Sequence, residues 1–175
     1  MSILTFGGQQ YSIAHLAPCQ RRVLVPLRGG KEKKVLVEFH FSNHCYSRGQ
    51  KEGEIIPPDM LVQDGAWERI FDLRRYRLSF VVMESIDALL EEGGDVRWSR
   101  HNNFFQVDLV QEGAADPVNF FIFMRARKEE LKNAEKRIRV QVESAYPELP
   151  NVPSPDFVRT EGILEVLGRV WSNMT

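Results

Sequence analysis

The sequence is poor in the residues that usually announce chemistry or location. Only Cys19 and Cys45 occur among 175 residues, too few for a disulfide framework and in keeping with a reducing compartment. The start, Met1-Ser2-Ile3-Leu4-Thr5-Phe6, lacks the basic segment and long apolar run of a secretory signal, so a cytoplasmic protein is expected. No window approaches the roughly eighteen apolar residues that a membrane span needs. The longest apolar run, near Phe120 to Met124, has the length of a strand. No membrane partner is expected.

Charge of one sign is also lacking. With 23 Lys and Arg against 24 Asp and Glu, the net charge is −1, which gives no global attraction to nucleic acid. Any such binding must come from local patches. Three arginines fall within Arg74-Arg75-Tyr76-Arg77, and further cations within Met124-Arg125-Ala126-Arg127-Lys128 and Lys136-Arg137-Ile138-Arg139. Solvated strand edges and turn ends are the simpler explanation of such clusters. Internal repeats and low-complexity segments are missing too, so neither a solenoid nor a disordered tail is expected.

What remains is ordinary globular material, 43% apolar and 27% charged, of a size that one domain over residues 1–175 can bury. From Val35 to Ser42 apolar and polar residues alternate, with Val35, Val37, Phe39 and Phe41 on one face and Leu36, Glu38, His40 and Ser42 on the other. That is a half-buried strand. Arg22 to Leu27 reads as its hairpin partner across Arg28-Gly29-Gly30-Lys31, and Gln10 to Ala14 as another short strand. Residues 47–64 read as a long irregular connection able to carry a functional loop.

A short extended run over Arg69 to Leu73 follows, and then Ser79 is expected to cap a helix stapled by Leu78 and Met83. Its apolar face holds Val82, Met83, Ile86, Leu89 and Leu90, and Gly93-Gly94 ends it. Strands are expected over Val96 to Ser99, Phe104 to Val110, Val118 to Arg127 and Arg137 to Tyr146. After four spaced prolines, Ser154-Pro155 opens a terminal helix striped by Phe157, Leu164, Leu167 and Trp171. The fold class is therefore α+β: an antiparallel meander with a β-rich N-terminal part and two helices, about 79–92 and 155–172, packed on it.

Chemistry concentrates between Glu38 and Arg48, where two of four histidines and one cysteine lie among hydroxyls and an arginine. His40, His44 and Cys45, with His15 and Cys19 from elsewhere, have the chemistry of zinc ligands. No second ligand pair stands at zinc spacing, so no metal is expected. Cys45 beside His44 suggests a thiol nucleophile, but adjacent side chains diverge, and a buried cysteine is the commoner outcome. His101, in Arg100-His101-Asn102-Asn103, suits a turn, and Phe104, Phe105, Phe120, Phe121 and Phe123 suit a core more than a base-stacking platform.

Acid–base chemistry needs only two titratable groups near one bond. Glu38 with His40, His44, and Glu143 beside Arg139 supply them, and Arg125 and Arg127 on the neighbouring strand can offset developing negative charge. Ion pairs on a solvated sheet face are the simpler alternative.

The helix, the meander and the closing Ser144-Ala145-Tyr146-Pro147 resemble the barnase/EndoU/colicin/RelE-type group of metal-independent ribonucleases over about residues 79–147. That resemblance implies RNA cleavage with the 2′-hydroxyl as nucleophile, with Ser144 and Tyr146 orienting phosphate or base. The base stays open among His40, His44, His101 and Glu143. The chain also resembles small bacterial and prophage proteins through Phe41-Ser42-Asn43-His44-Cys45-Tyr46, Arg69-Ile70-Phe71-Asp72-Leu73-Arg74-Arg75-Tyr76 and Val142-Glu143-Ser144-Ala145-Tyr146, a resemblance that implies no activity.

The expected site is thus His40, His44, Glu143, Arg125 and Arg127 for chemistry and Arg75, Arg77, Ser144 and Tyr146 for binding, with RNA as substrate and no cofactor. The rival expectation is a non-enzymatic module that engages nucleic acid or an acidic protein through its arginines. Oligomeric state is left open.

Overall fold

In the computed structural model, which describes residues 3–130 and 135–173, a helix-bearing mixed sheet adjoins a smaller β-layer. The chain opens with the hairpin β1 (Ile3–Phe6) and β2 (Gln9–Ser12), followed by the longer hairpin β3 (Cys19–Leu27) and β4 (Lys31–Phe41). Gly29 and Gly30 turn the second hairpin with φ of 74° and 70°, the left-handed conformation that tight hairpin turns demand and glycine tolerates. Next come β5 (Ser47–Arg48), β6 (Leu61–Asp64) and β7 (Trp67–Phe71), which form a three-stranded sheet in the order β5-β7-β6. The ends of the expected loop over 47–64 are therefore strands.

Helix α1 (Leu73–Leu78) follows, capped by the Asp72 carboxylate, which accepts from the Arg75 backbone N–H at 3.0 Å. A 3-10 turn links it to α2 (Val82–Glu92). Ser79 does not cap α2 as expected; its hydroxyl donates to the Tyr76 carbonyl at 2.7 Å. The Leu78–Met83 staple fails for the same reason: the chain at Leu78 is already helical, with φ of −74° and ψ of −19°, so no extended residue precedes the helix.

The meander β8 (Asp95–Trp98), β9 (Phe104–Val110), β10 (Val118–Glu129) and β11 (Arg137–Pro147) is antiparallel throughout. It is then extended on both sides, in the order β12-β8-β9-β10-β11-β4-β3, where β12 is Arg159–Gly162. The β11–β4 pairing is parallel, with Val140 beside Phe39 and Gln141 beside His40. Helix α3 (Ile163–Trp171) starts later than the expected 155. Residues 159–162 pair with β8 instead, and Phe157 stays half exposed beneath the Arg97 guanidinium.

One face of the large sheet carries the main core. Val35, Val37 and Phe39 of β4, Phe120, Ile122 and Met124 of β10, and Ile138, Val140 and Val142 of β11 bury themselves with Val82, Ile86 and Leu89 of α2 and Val166 and Leu167 of α3. Each fully buried side chain of this kind contributes about 1.5–3 kcal/mol. Gly168 lets α3 lie directly on β3, since a Cβ there would stand 2.1 Å from the Pro26 carbonyl oxygen. Phe6, Tyr11, Phe71 and Tyr76 join β1, β2, β7 and α1 to the same core, with Phe6 and Phe71 stacked at 4.3 Å.

Candidate functional site

The opposite face is built from outward positions of β4, β10 and β11, and its geometry turns on one irregularity. Phe123 pairs with Ser144 and Met124 with Val142, which leaves Glu143 as the extra residue of a β-bulge. A bulge redirects side chains. Strict alternation would put Ser144 and Tyr146 on the buried face of Val142. The bulge instead buries Ala145 and brings Glu143, Ser144 and Tyr146 together on the outer face.

Ser42 ties the bulge to the turn that carries His44. Its backbone N–H donates to the Val142 carbonyl at 3.0 Å and its hydroxyl to the Glu143 carbonyl at 2.6 Å. The same oxygen accepts from the His44 N–H at 3.1 Å and so caps the 3-10 turn Asn43–Cys45. From the other side Arg75 donates to the carbonyls of His44 (3.2 Å) and Ser47 (2.9 Å) and lies 5.0 Å above the Tyr146 ring. Arg69 Nε donates to Ser47 Oγ at 2.8 Å. Burial lowers the pKa of both arginines and raises that of Tyr146.

His44 Nε2 stands 2.7 Å from Asp64 Oδ2 at the end of β6. That hydrogen bond holds the Asp64 carboxyl below its ordinary range and fixes the ring. His44, Asn103, Phe123, Glu143, Ser144 and Tyr146 line a shallow cavity of about 410 Å³, within the usual size of a ligand site. Glu143 spans it: Oε2 accepts from Asn103 Nδ2 at 2.8 Å, and Oε1 lies 3.1 Å from Arg125 Nε. It also walls an adjoining cavity of about 190 Å³ with Arg125, Arg127, Arg139 and Gln141.

The expected residues therefore fall in four places. His44, Glu143, Ser144 and Tyr146 gather at the first cavity, with Arg75 behind them against Tyr146, and Arg125 and Arg127 gather at the second. His40 faces the same side but sits two strands from β10, because β11 lies between β4 and β10. Its Nδ1 is 3.4 Å from Arg139 Nη2 and its Nε2 3.5 Å from Glu38 Oε2. Arg125 and Arg127, on the strand next to β11, lie beside Glu143, with Arg125 Nε 3.1 Å from its carboxylate, and β11 with Arg139 separates them from Glu38 and His40. Arg77 is exposed on α1, away from both cavities.

Asp64 and Asn103, which orient His44 and Glu143, are functional candidates that sequence reasoning missed. Neither lies near its partner in the chain, and no local pattern signals them. Cys45 is fully buried and its thiol is pushed up to about 12 by burial, so it is no nucleophile at neutral pH. Burial likewise raises the Cys19 thiol, which donates to Met83 Sδ. Among the described residues no three His, Cys, Asp or Glu side chains converge to hold a metal ion, and no helix is long and apolar enough to cross a membrane.

The sequence matches the model of the YjaZ family over residues 3–166. The chain belongs to the YjaZ family. Its match takes in every element from β1 to the first turn of α3 and both cavities. No curated protein and no solved structure matches this YjaZ family chain.

Proposed function

We propose that the outer face is a metal-independent site that cleaves RNA. The carrying observation is that Glu143 forms a common wall between the cavity of His44 and that of Arg125, Arg127 and Arg139. An oriented imidazole, a carboxylate and a set of guanidinium groups therefore adjoin one another. The family name specifies no reaction, so this reading rests on that geometry and on the resemblance of residues 79–147 to small ribonucleases.

In this reading His44, steadied by Asp64, takes the proton of a ribose 2′-hydroxyl as that oxygen attacks the neighbouring phosphorus. The bond from phosphorus to the 5′-oxygen breaks, and the leaving oxygen takes a proton from water, whose hydroxide the His44 imidazolium then neutralises, giving a 2′,3′-cyclic phosphate, a 5′-hydroxyl and the neutral imidazole again. Arg125 and Arg127 offset the charge that builds on the phosphoryl oxygens. Ser144 and Tyr146 position the phosphate or base, and Arg75 holds the Tyr146 ring.

Purified protein is expected to cut RNA in excess chelator, and His44→Ala to slow cutting by about 10²–10⁴-fold with an unchanged circular dichroism spectrum. RNA left intact by the unaltered protein sinks the reading. A second reading, nucleic-acid or acidic-protein binding without chemistry, draws on the 68% exposure of the Arg127 side chain. Retention of RNA without cleavage in the same assay selects nucleic-acid binding, and retention of an acidic protein but not RNA selects the other.

A further inference from the structure

The outer face mixes both signs of charge, but at different heights. The Glu38 and Glu129 side chains are only 13% exposed and Glu143 29%, whereas Arg125 is 55% and Arg127 68% exposed. Arg125 and Arg127 stand above the carboxylates, while Arg137 and Arg139, 22% and 31% exposed, lie among them. Glu129 accepts from Arg127 at 2.9 Å and Arg137 at 3.2 Å, with Arg139 3.5 Å away, and Arg137 also lies 2.8 Å from Glu38. Each arginine is thereby held in place before any ligand arrives. An incoming anion meets fixed positive charge despite the net charge of −1 of the whole chain.

The cationic layer does not stop at the arginine cavity. Along β11 the outward positions run from Glu143 back to Arg137, roughly 20 Å of extended chain. Beyond it, at the sheet end where α3 finishes, Lys34 and Lys136 line another cavity with Lys33, Leu36, Glu135 and Trp171, and Lys136 also pairs with Glu130 at 3.1 Å. Lys34 shares the outward alternation of Leu36, Glu38 and His40 on β4, so it continues the same face. At the opposite end Phe123 and Tyr146, stacked at 5.7 Å with 10° between their planes, border the His44 cavity.

We infer that this face is a track for single-stranded RNA of several nucleotides, running from the His44 cavity over the arginine layer to Lys34 and Lys136. The inference rests on the RNA-cleaving reading and adds the length and course of the substrate. A phosphodiester chain matches a linear run of fixed cations, and the His44 cavity at the end of the run can take an unpaired base, which a duplex would hide.

The test is fluorescence anisotropy with a labelled oligouridylate and a labelled diuridylate, in chelator and with His44→Ala so that neither is cut. The oligonucleotide is expected to bind about tenfold more tightly than the dinucleotide. Lys34→Gln with Lys136→Gln should erase most of that difference and reduce the slope of log affinity against log salt by about 1.4, because two phosphates are no longer neutralised.

Oligonucleotide affinity that ignores both lysines overturns the track, as does equal competition by polyglutamate, which would mark a surface for acidic protein. The two readings fail separately. Length-dependent and lysine-dependent binding without cleavage keeps the track and sinks the chemistry, whereas cleavage of diuridylate with lysine-independent binding does the reverse.

Discussion

On one face of the seven-stranded sheet Val37, Ile122 and Val140 vanish beneath α2 and α3, while on the other Arg127, Arg139 and Glu143 alternate with them and meet solvent. Both sets sit on the same strands, one residue apart. The first face takes its stability from apolar area removed from water. The second is laced by ion pairs, which contribute about 0–1 kcal/mol each where exposed. Substitutions that destroy the first face should unfold the chain, and those on the second should alter what it binds while leaving it folded.

Phe120 and Phe123 put that contrast to its strongest test. Phe120→Ala removes a fully buried ring from the core face and should cost about 3–5 kcal/mol in urea unfolding. Phe123→Ala, on the partly open face, should cost much less. Equal losses would mean that the outer aromatics are a second core. Gly168→Ala should cost about 1–3 kcal/mol, because the added methyl must push α3 off the Pro26 carbonyl. If its midpoint matched that of the parent, α3 would not be as tightly seated as its position implies.

Cys45 supplies a pH-dependent version of the same test. Its folded thiol is pushed up to about 12 by burial, from an ordinary value of 9.0. Below about pH 9 both states hold the proton and nothing changes. Above it the unfolded chain releases the proton while the folded chain keeps it, so stability falls as pH rises toward 12. At about pH 10 the loss should be on the order of 1 kcal/mol, and Cys45→Ala should remove that increment from unfolding curves measured at about pH 8 and about pH 10. An unchanged increment in the variant would assign the alkaline loss to another group. The smallest effect is expected for Arg127→Ala, within about 0.5 kcal/mol of the parent. A larger loss in thermal unfolding would show that the charged face is structural.

Periodicity made the strands readable. The alternation over Val35 to Ser42 and over Arg137 to Gln141 assigned faces that the structure keeps, and Gly29-Gly30 marked its turn. Helix starts were harder. Ser79 has the chemistry of a cap, but α1 runs into the 3-10 turn before it, so the true cap is Asp72. Prolines before Phe157 resemble a helix opening, yet β8 offers an edge for β12, and pairing there wins.

The site was legible as a set of residues more than as an arrangement. His44, Glu143, Ser144 and Tyr146 could be chosen by type, but their meeting depends on the bulge at Glu143 and on the parallel pairing of β4 with β11. Local pattern encodes neither. Asp64 and Asn103 were invisible because each acts across a fold-dependent gap, 20 residues to His44 and 40 to Glu143.

The parallel pairing of β4 with β11 also bears on how the chain assembles. Ser42 and Glu143 are 101 residues apart, whereas β3 with β4 and β10 with β11 pair strands only a few residues apart in the chain. Closing so long a loop is entropically costly and slow compared with forming a hairpin. The two hairpins would then form early, and His44 would meet Glu143 only when their edges join, so the functional face is completed by one of the last contacts made during folding.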